Sequence, residues 1–188
     1  SGYGIYAVNG ATSLIANNVI TGNGGLQNAY GVFASASPLR MEDNSVGHNS
    51  ASAGNGYGVY VQSTSNVTLI GGSVYENNGL GAGGLGYGFY AITSTGQLTS
   101  VGVFANGMLS SGGAGVAILN SAFALTSLNV NANSTGVYVN PSSVTIDGSL
   151  VQFSTYDGVV VTGGASVTLT NSFLQYHTAT PARAGLRV

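Results

Sequence analysis

The chain has 188 residues, of which 44% are hydrophobic and only 4% charged, with a formal net charge of −2, against about 25% charged residues in an average soluble domain. It has no lysine, and its cations are Arg40, Arg183 and Arg187. This excludes nucleic-acid binding through phosphates, which needs several cationic contacts. It has no cysteine, which excludes disulfides, thiolate chemistry and cysteine-held metals and fits an exported bacterial protein.

One pattern recurs along the chain: glycine, apolar, variable, apolar. It begins at Gly4, Gly31, Gly58, Gly88, Gly115, Gly136, Gly158 and Gly185, with steps of 27, 27, 30, 27, 21, 22 and 27 residues, a spacing typical of repeat architectures. Coil one runs from Gly4 through Leu14-Ile15-Ala16 and Ile20 to Asn23. Coil two runs from Gly31 through Leu39-Arg40-Met41 and Val46 to Asn49. Coil three runs from Gly58 through Val67-Thr68-Leu69 and Val74 to Asn77, and coil four from Gly88 through Leu98-Thr99-Ser100 and Val103 to Asn106. Coil five runs from Gly115 through Leu125-Thr126-Ser127 and Val130 to Asn133. In coils six and seven Ser154 and His177 replace the asparagine, after Val144-Thr145-Ile146 with Val151 and Val167-Thr168-Leu169 with Leu174.

Each coil therefore holds about three short runs of alternating polarity, the signature of strands. No window reads as an amphipathic helix, and 31 glycines argue against one. The pattern predicts an all-β parallel solenoid of about seven coils with three short strands each. Residues 1–188 form a single domain within a rod roughly 30 to 35 Å long at the usual strand spacing. The residues one and three places after each glycine, Val59 and Val61 for example, are expected to point inward. The glycine is expected to serve a tight turn into the strand or a close backbone approach. Asn23, Asn49, Asn77, Asn106 and Asn133 are expected to stack as a structural ladder inside a turn. The three middle-strand residues are read as one column per position, with Thr68, Thr99, Thr126, Thr145 and Thr168 aligned. Gly-rich corner loops are placed at about 22–30, 50–57, 78–87 and 107–114. The pattern is already running at Ser1 and still running at Val188, so a segment of a longer solenoid is expected.

These G-Φ-x-Φ starts, V-T-L middle strands and V-x-x-N ends resemble the right-handed parallel β-helix repeat family, a pectate-lyase-like superfamily that also includes bacterial surface and adhesin-type proteins. The resemblance implies a right-handed coil. It implies no single activity, because the scaffold hosts lyases, hydrolases and inert stalks. The hydrolase branch carries Asn-Thr-Asp, Asp-Asp, Gly-His-Gly and Arg-Ile-Lys strings, and none occurs here.

The acids are Glu42, Asp43, Glu76, Asp147 and Asp157. Glycoside hydrolysis needs carboxylates about 5 to 9.5 Å apart, and calcium-dependent lyase chemistry needs several of them around the ion. The five are read as structural or solvated, and His48 and His177 as turn-packing groups. No catalytic residue, metal site or cofactor is assigned. The candidate ligand or partner site is an outward stripe two places after the glycine: Tyr6, Phe33, Tyr60, Tyr90 and Tyr138. A second aromatic set, Tyr3, Tyr30, Tyr57 and Tyr87, precedes the glycine. Such a stripe either stabilises the sheet by like-on-like stacking or docks sugars or protein.

The sequence thus predicts a non-enzymatic structural or adhesive protein, extracellular or on the cell surface: a stalk, surface fibre or matrix filament subunit. End-to-end self-association is expected from unpaired strand edges. The alternative is a carbohydrate-binding or carbohydrate-degrading module that uses the tyrosine stripe on a polysaccharide or cell-surface glycan. No nucleic-acid partner is expected. Nor is a transmembrane segment, since no apolar run reaches the roughly 20 residues a spanning helix needs.

Overall fold

The computed structural model describes residues 1–109, 112–177 and 184–188. Three parallel sheets run along one axis. The first contains Gly2–Val8, Ala29–Ser35, Gly56–Gln62, Gly86–Ile92, Gly113–Leu119, Val137–Asn140, Val159–Val161 and Leu186–Arg187, stacked in chain order. The second runs from Ser13–Ala16 to Ser166–Thr170 and the third from Val19–Thr21 to Phe173–Gln175, seven strands each. Every pair is parallel and joins one coil to the next. This is an all-β solenoid of about seven turns, with no helix among the described residues.

The core is the interior of the coil. The first sheet contributes Val32, Ala34, Val59, Val61, Phe89, Ala91, Val116, Ile118, Val137, Val139, Val159 and Val161, and the third contributes Val46, Val74, Val103, Val130 and Val151. The third-sheet column keeps register throughout, Ile20 on Val46 and so on to Leu174.

The second sheet departs from the sequence alignment. Thr68 pairs with Gln97, not Thr99, and Thr126 pairs with Asp147, not Thr145. The inward columns are Val67-Gly96-Phe123-Val144-Val167 and Leu69-Leu98-Leu125-Ile146-Leu169. The aligned threonines therefore do not form one column. Gly96 lies against the Val67 backbone, where a Cβ would meet the carbonyl oxygen. Phe123 follows Gly96 in the same inward column, and its ring meets Phe89 edge-on at 5.4 Å.

No repeat glycine has a positive φ; Gly4, Gly31, Gly58, Gly88 and Gly115 lie within strands, and Gly136, Gly158 and Gly185 sit in bends just before theirs. Gly58 is the third residue of its strand and has no positive φ. A Cβ there would lie 2.3 Å from Val74 Cγ1, 2.7 Å from Asn77 Nδ2 and 2.7 Å from the Gly88 carbonyl oxygen. The same kinds of neighbour crowd Gly4, Gly31 and Gly88. Of the two expected roles, the close approach is the one found. Glycine, valine and asparagine are three columns of one interlock.

Most corners turn at a left-handed residue instead. In the corner after the third sheet these are Gly22, His48, Glu76, Ala105, Ala132, Phe153 and Tyr176, and the residue that follows each is the asparagine column or its replacement. Asn9, Ala36, Ser63, Thr93 and Asn120 do this after the first sheet, and Asn17, Asp43, Ser100, Ser127 and Asn171 after the second. For a residue with a Cβ this conformation costs roughly 1–2 kcal/mol, so the stack must impose it.

The Gly-rich corner segments are shorter than their expected bounds, because the first-sheet strands begin two residues before the repeat glycine, at Ala29, Gly56, Gly86 and Gly113. Within them Ser50–Ala51 and Asn78–Gly79 pair as a small parallel sheet. Part of the 107–114 segment, residues 110 and 111, lies outside the described residues, as does Arg183.

Candidate functional site

The aromatic face arises from a break in alternation. Gly58 and Val59 both face the interior, so Tyr57 and Tyr60, three residues apart, both stand on the outer surface of the first sheet. Repetition through four coils gives two ring columns side by side. Tyr3, Tyr30, Tyr57 and Tyr87 stack at 4.9, 5.0 and 5.4 Å. Tyr6, Phe33, Tyr60 and Tyr90 stack at 5.2, 5.3 and 5.1 Å. Within each coil the two rings meet edge-on, for example Tyr57 and Tyr60 at 5.1 Å. Stacked and edge-on pairs are the favoured arrangements of aromatic quadrupoles.

The two columns differ in exposure. Tyr30 and Tyr57 are buried, at 8% and 7%, beneath the neighbouring column. Phe33, Tyr60, Tyr90 and Tyr138 are half-buried, and Tyr6 is 60% exposed. The outer stripe is therefore a partly open ledge beside the corner segments. Ala117 and Val160, which interrupt it, are fully buried. Tyr57 accepts a hydrogen bond from Asn55 Nδ2 at 2.9 Å, and Tyr60 donates to Gln62 Oε1 at 3.1 Å. Burial pushes the Tyr60 and Tyr87 phenols up to about 12, with smaller contributions from neighbouring tyrosines. Tyr57, Tyr30 and Tyr90 are raised for the same first reason. The ledge is neutral at physiological pH.

The asparagine column forms a directional ladder. Asn23 N and Nδ2 donate to Asn49 Oδ1 at 3.1 and 2.8 Å, and the same pair of bonds joins Asn49 to Asn77, Asn77 to Asn106 and Asn106 to Asn133. Asn49, Asn77, Asn106 and Asn133 have no exposed surface. Two further ladders were missed by the sequence reading. Ser37 accepts from Gly10 N, Ser94 from Thr64 N, Ser121 from Ser94 N and Ser142 from Ser121 N. Asn44, Ser149 and Ser172 do the same at the next corner. The first set was visible as a spacing: Ser37, Thr64, Ser94, Ser121 and Ser142 each lie six residues after a repeat glycine.

The ionisable groups are scattered. Glu42 pairs with Arg40. His48 Nδ1 lies 3.2 Å from Glu76 Oε2 on the surface. Asp43 is a left-handed corner residue. Asp147 accepts from Thr170 Oγ1 and Asn171 Nδ2 at 2.7 and 2.9 Å, which holds it below the usual carboxylate range. Asp157 is 2% exposed; its Oδ1 accepts from Ala184 N at 3.0 Å, and its Oδ2 faces Arg187 Nε at 3.0 Å without hydrogen-bond alignment. His177 sits against Gly158, with its imidazole depressed by burial and partly raised again by Asp157. No three His, Asp or Glu side chains gather as a metal-holding group among the described residues.

The family model described as a right-handed beta helix region matches residues 1–123 of the 188. The chain belongs to the right-handed β-helix family. Beyond residue 123 the same three sheets continue. Searches of curated proteins and of solved structures return no significant match.

Proposed function

We propose that the chain is a non-enzymatic structural or adhesive β-helix of an exported bacterial protein, serving as a stalk, surface fibre or matrix filament subunit. The observation that supports this is the in-register stacking of the three sheets along the axis. The core columns repeat from coil to coil, the amide ladder runs from Asn23 to Asn133, and the ring columns run through the first four coils. Among the described residues the outermost strands of the first sheet, Gly2–Val8 and Leu186–Arg187, have a partner on one side only. At the Leu186 end the inward columns open as an apolar hollow of about 300 Å³ lined by Val159, Val161, Ala165, Val167 and Leu169. A further coil of like sequence completes such an edge, as in other repeat stacks. Electron microscopy at high protein concentration should show rods longer than one stack, and a field of dispersed single stacks would count against self-assembly.

A second reading, carbohydrate binding, is favoured by the openness of the outer ring column. Neutral rings with polar tips and a flanking amide suit sugar surfaces. Polysaccharide binding should weaken in Tyr60→Ala and Tyr90→Ala, and binding indifferent to both removes the ledge as the site. Cleavage of an acidic polysaccharide by the purified chain would overturn the non-enzymatic reading.

A further inference from the structure

The aromatic wall is broken at one coil. In the covered column Tyr87 is followed in register by Ala114, and in the ledge Tyr90 is followed by Ala117 and then Tyr138. Tyr87 stacks on Tyr57 and meets Tyr90 edge-on. Its face toward Ala114 meets no ring among the described residues. The missing ring leaves a notch of about 190 Å³, walled by Tyr87 and Tyr138 and floored by Gly113 and Ala114. Rings repeat here at 5.0 to 5.4 Å, so one omitted ring opens a slot about one ring thick. Tyr138 is held in place: its phenol oxygen accepts from Asn140 Nδ2 at 3.2 Å and Thr162 Oγ1 at 3.4 Å. Its own O–H remains available to donate.

We propose that this notch binds a single neutral pyranose ring of a glycan chain. The proposal rests on the carbohydrate-binding reading and gives that reading a location. A pyranose has apolar C–H faces and a rim of hydroxyls. The free face of Tyr87 meets the first, and the Tyr138 hydroxyl with the Asn140 amide meets the second. Among the described residues no carboxylate, imidazole or cation lines the notch, so none of them compensates the burial of an anionic sugar.

The test is calorimetric titration with cellohexaose, maltohexaose and chitohexaose, using the whole chain and three variants. Ala114→Tyr supplies the missing ring. At least one hexasaccharide should bind the native chain. Ala114→Tyr should weaken that binding by about tenfold or more, as should Tyr138→Ala, and Tyr60→Ala should weaken it by less than either. In the native chain the Ala114 methyl resonance should shift on titration, a readout that needs no variant to fold. Binding unchanged in Ala114→Tyr with an unmoved Ala114 methyl overturns the notch. Binding lost only in Tyr60→Ala also overturns it and leaves the broader ledge reading standing. If no neutral hexasaccharide binds, the notch is refuted, and retention of the chain on insoluble polysaccharide then decides the broader reading separately.

Discussion

Gly58 lacks a side chain because Val74, Asn77 and the next coil's backbone already occupy its place. Gly58→Ala should therefore lower stability by about 1–3 kcal/mol in urea denaturation, the range for overpacking a rigid core. Gly24→Ala, where the nearest atom to a new Cβ is 3.9 Å away, should stay within about 0.5 kcal/mol. The same logic separates two members of the asparagine column. Asn106→Ala strips Oδ1 from two buried donors of Asn77 and should cost about 2–4 kcal/mol. Ser154 is fully buried and its hydroxyl has no partner among the described residues, so Ser154→Ala should be neutral or stabilising by about 1 kcal/mol. A large loss at Ser154 would show that its hydroxyl has a partner after all. The glycine, valine and asparagine columns were legible in the sequence because their spacing is fixed. The left-handed corner residues were not: Ala105, Ala132, Phe153 and Tyr176 have no intrinsic preference for that conformation, and only the stack imposes it.

At the scale of the element, the first sheet is distinguished by its paired ring columns. Each raised phenol holds its proton more tightly in the folded state than in the unfolded chain, where it leaves near pH 10. Stability from Tyr57, Tyr60 and Tyr87 is thus fully present below pH 10 and is lost as pH climbs toward 12. Urea midpoints between pH 9 and 12 should fall, with tyrosinate absorbance at 295 nm lagging free tyrosine; a midpoint flat to pH 12 would contradict the burial. His177 works in the opposite window: its depressed imidazole makes stability fall as pH drops below about 6.5. The first and third sheets were readable from the sequence as alternation. The register of the second was not, because Gly96 and Phe123 share one inward column across coils, and no local pattern records such a pairing. The outward placement of Tyr57 was equally hidden, since strict alternation would point it inward.

For the whole molecule, the three parallel sheets run from one coil to the next, so each coil offers the next a backbone edge like the one it was built on. The inward column ends in Leu169, which lines the apolar hollow at the Leu186 end. Inward charges at such a position oppose edge-to-edge pairing, and the change lies at one end of the stack. Function was the least legible layer, because a scaffold built from glycine, valine and asparagine spacing is indifferent to what its outer face meets. The notch at Ala114 appears only when three separate coils are brought together. The most direct test of the rod is sedimentation velocity over a wide concentration range, comparing the native chain with Leu169→Glu. The native chain should sediment as progressively longer rods as concentration rises, and Leu169→Glu should remain a folded single stack. A native chain that stays a single species at every concentration, or a variant that lengthens equally, would contradict it.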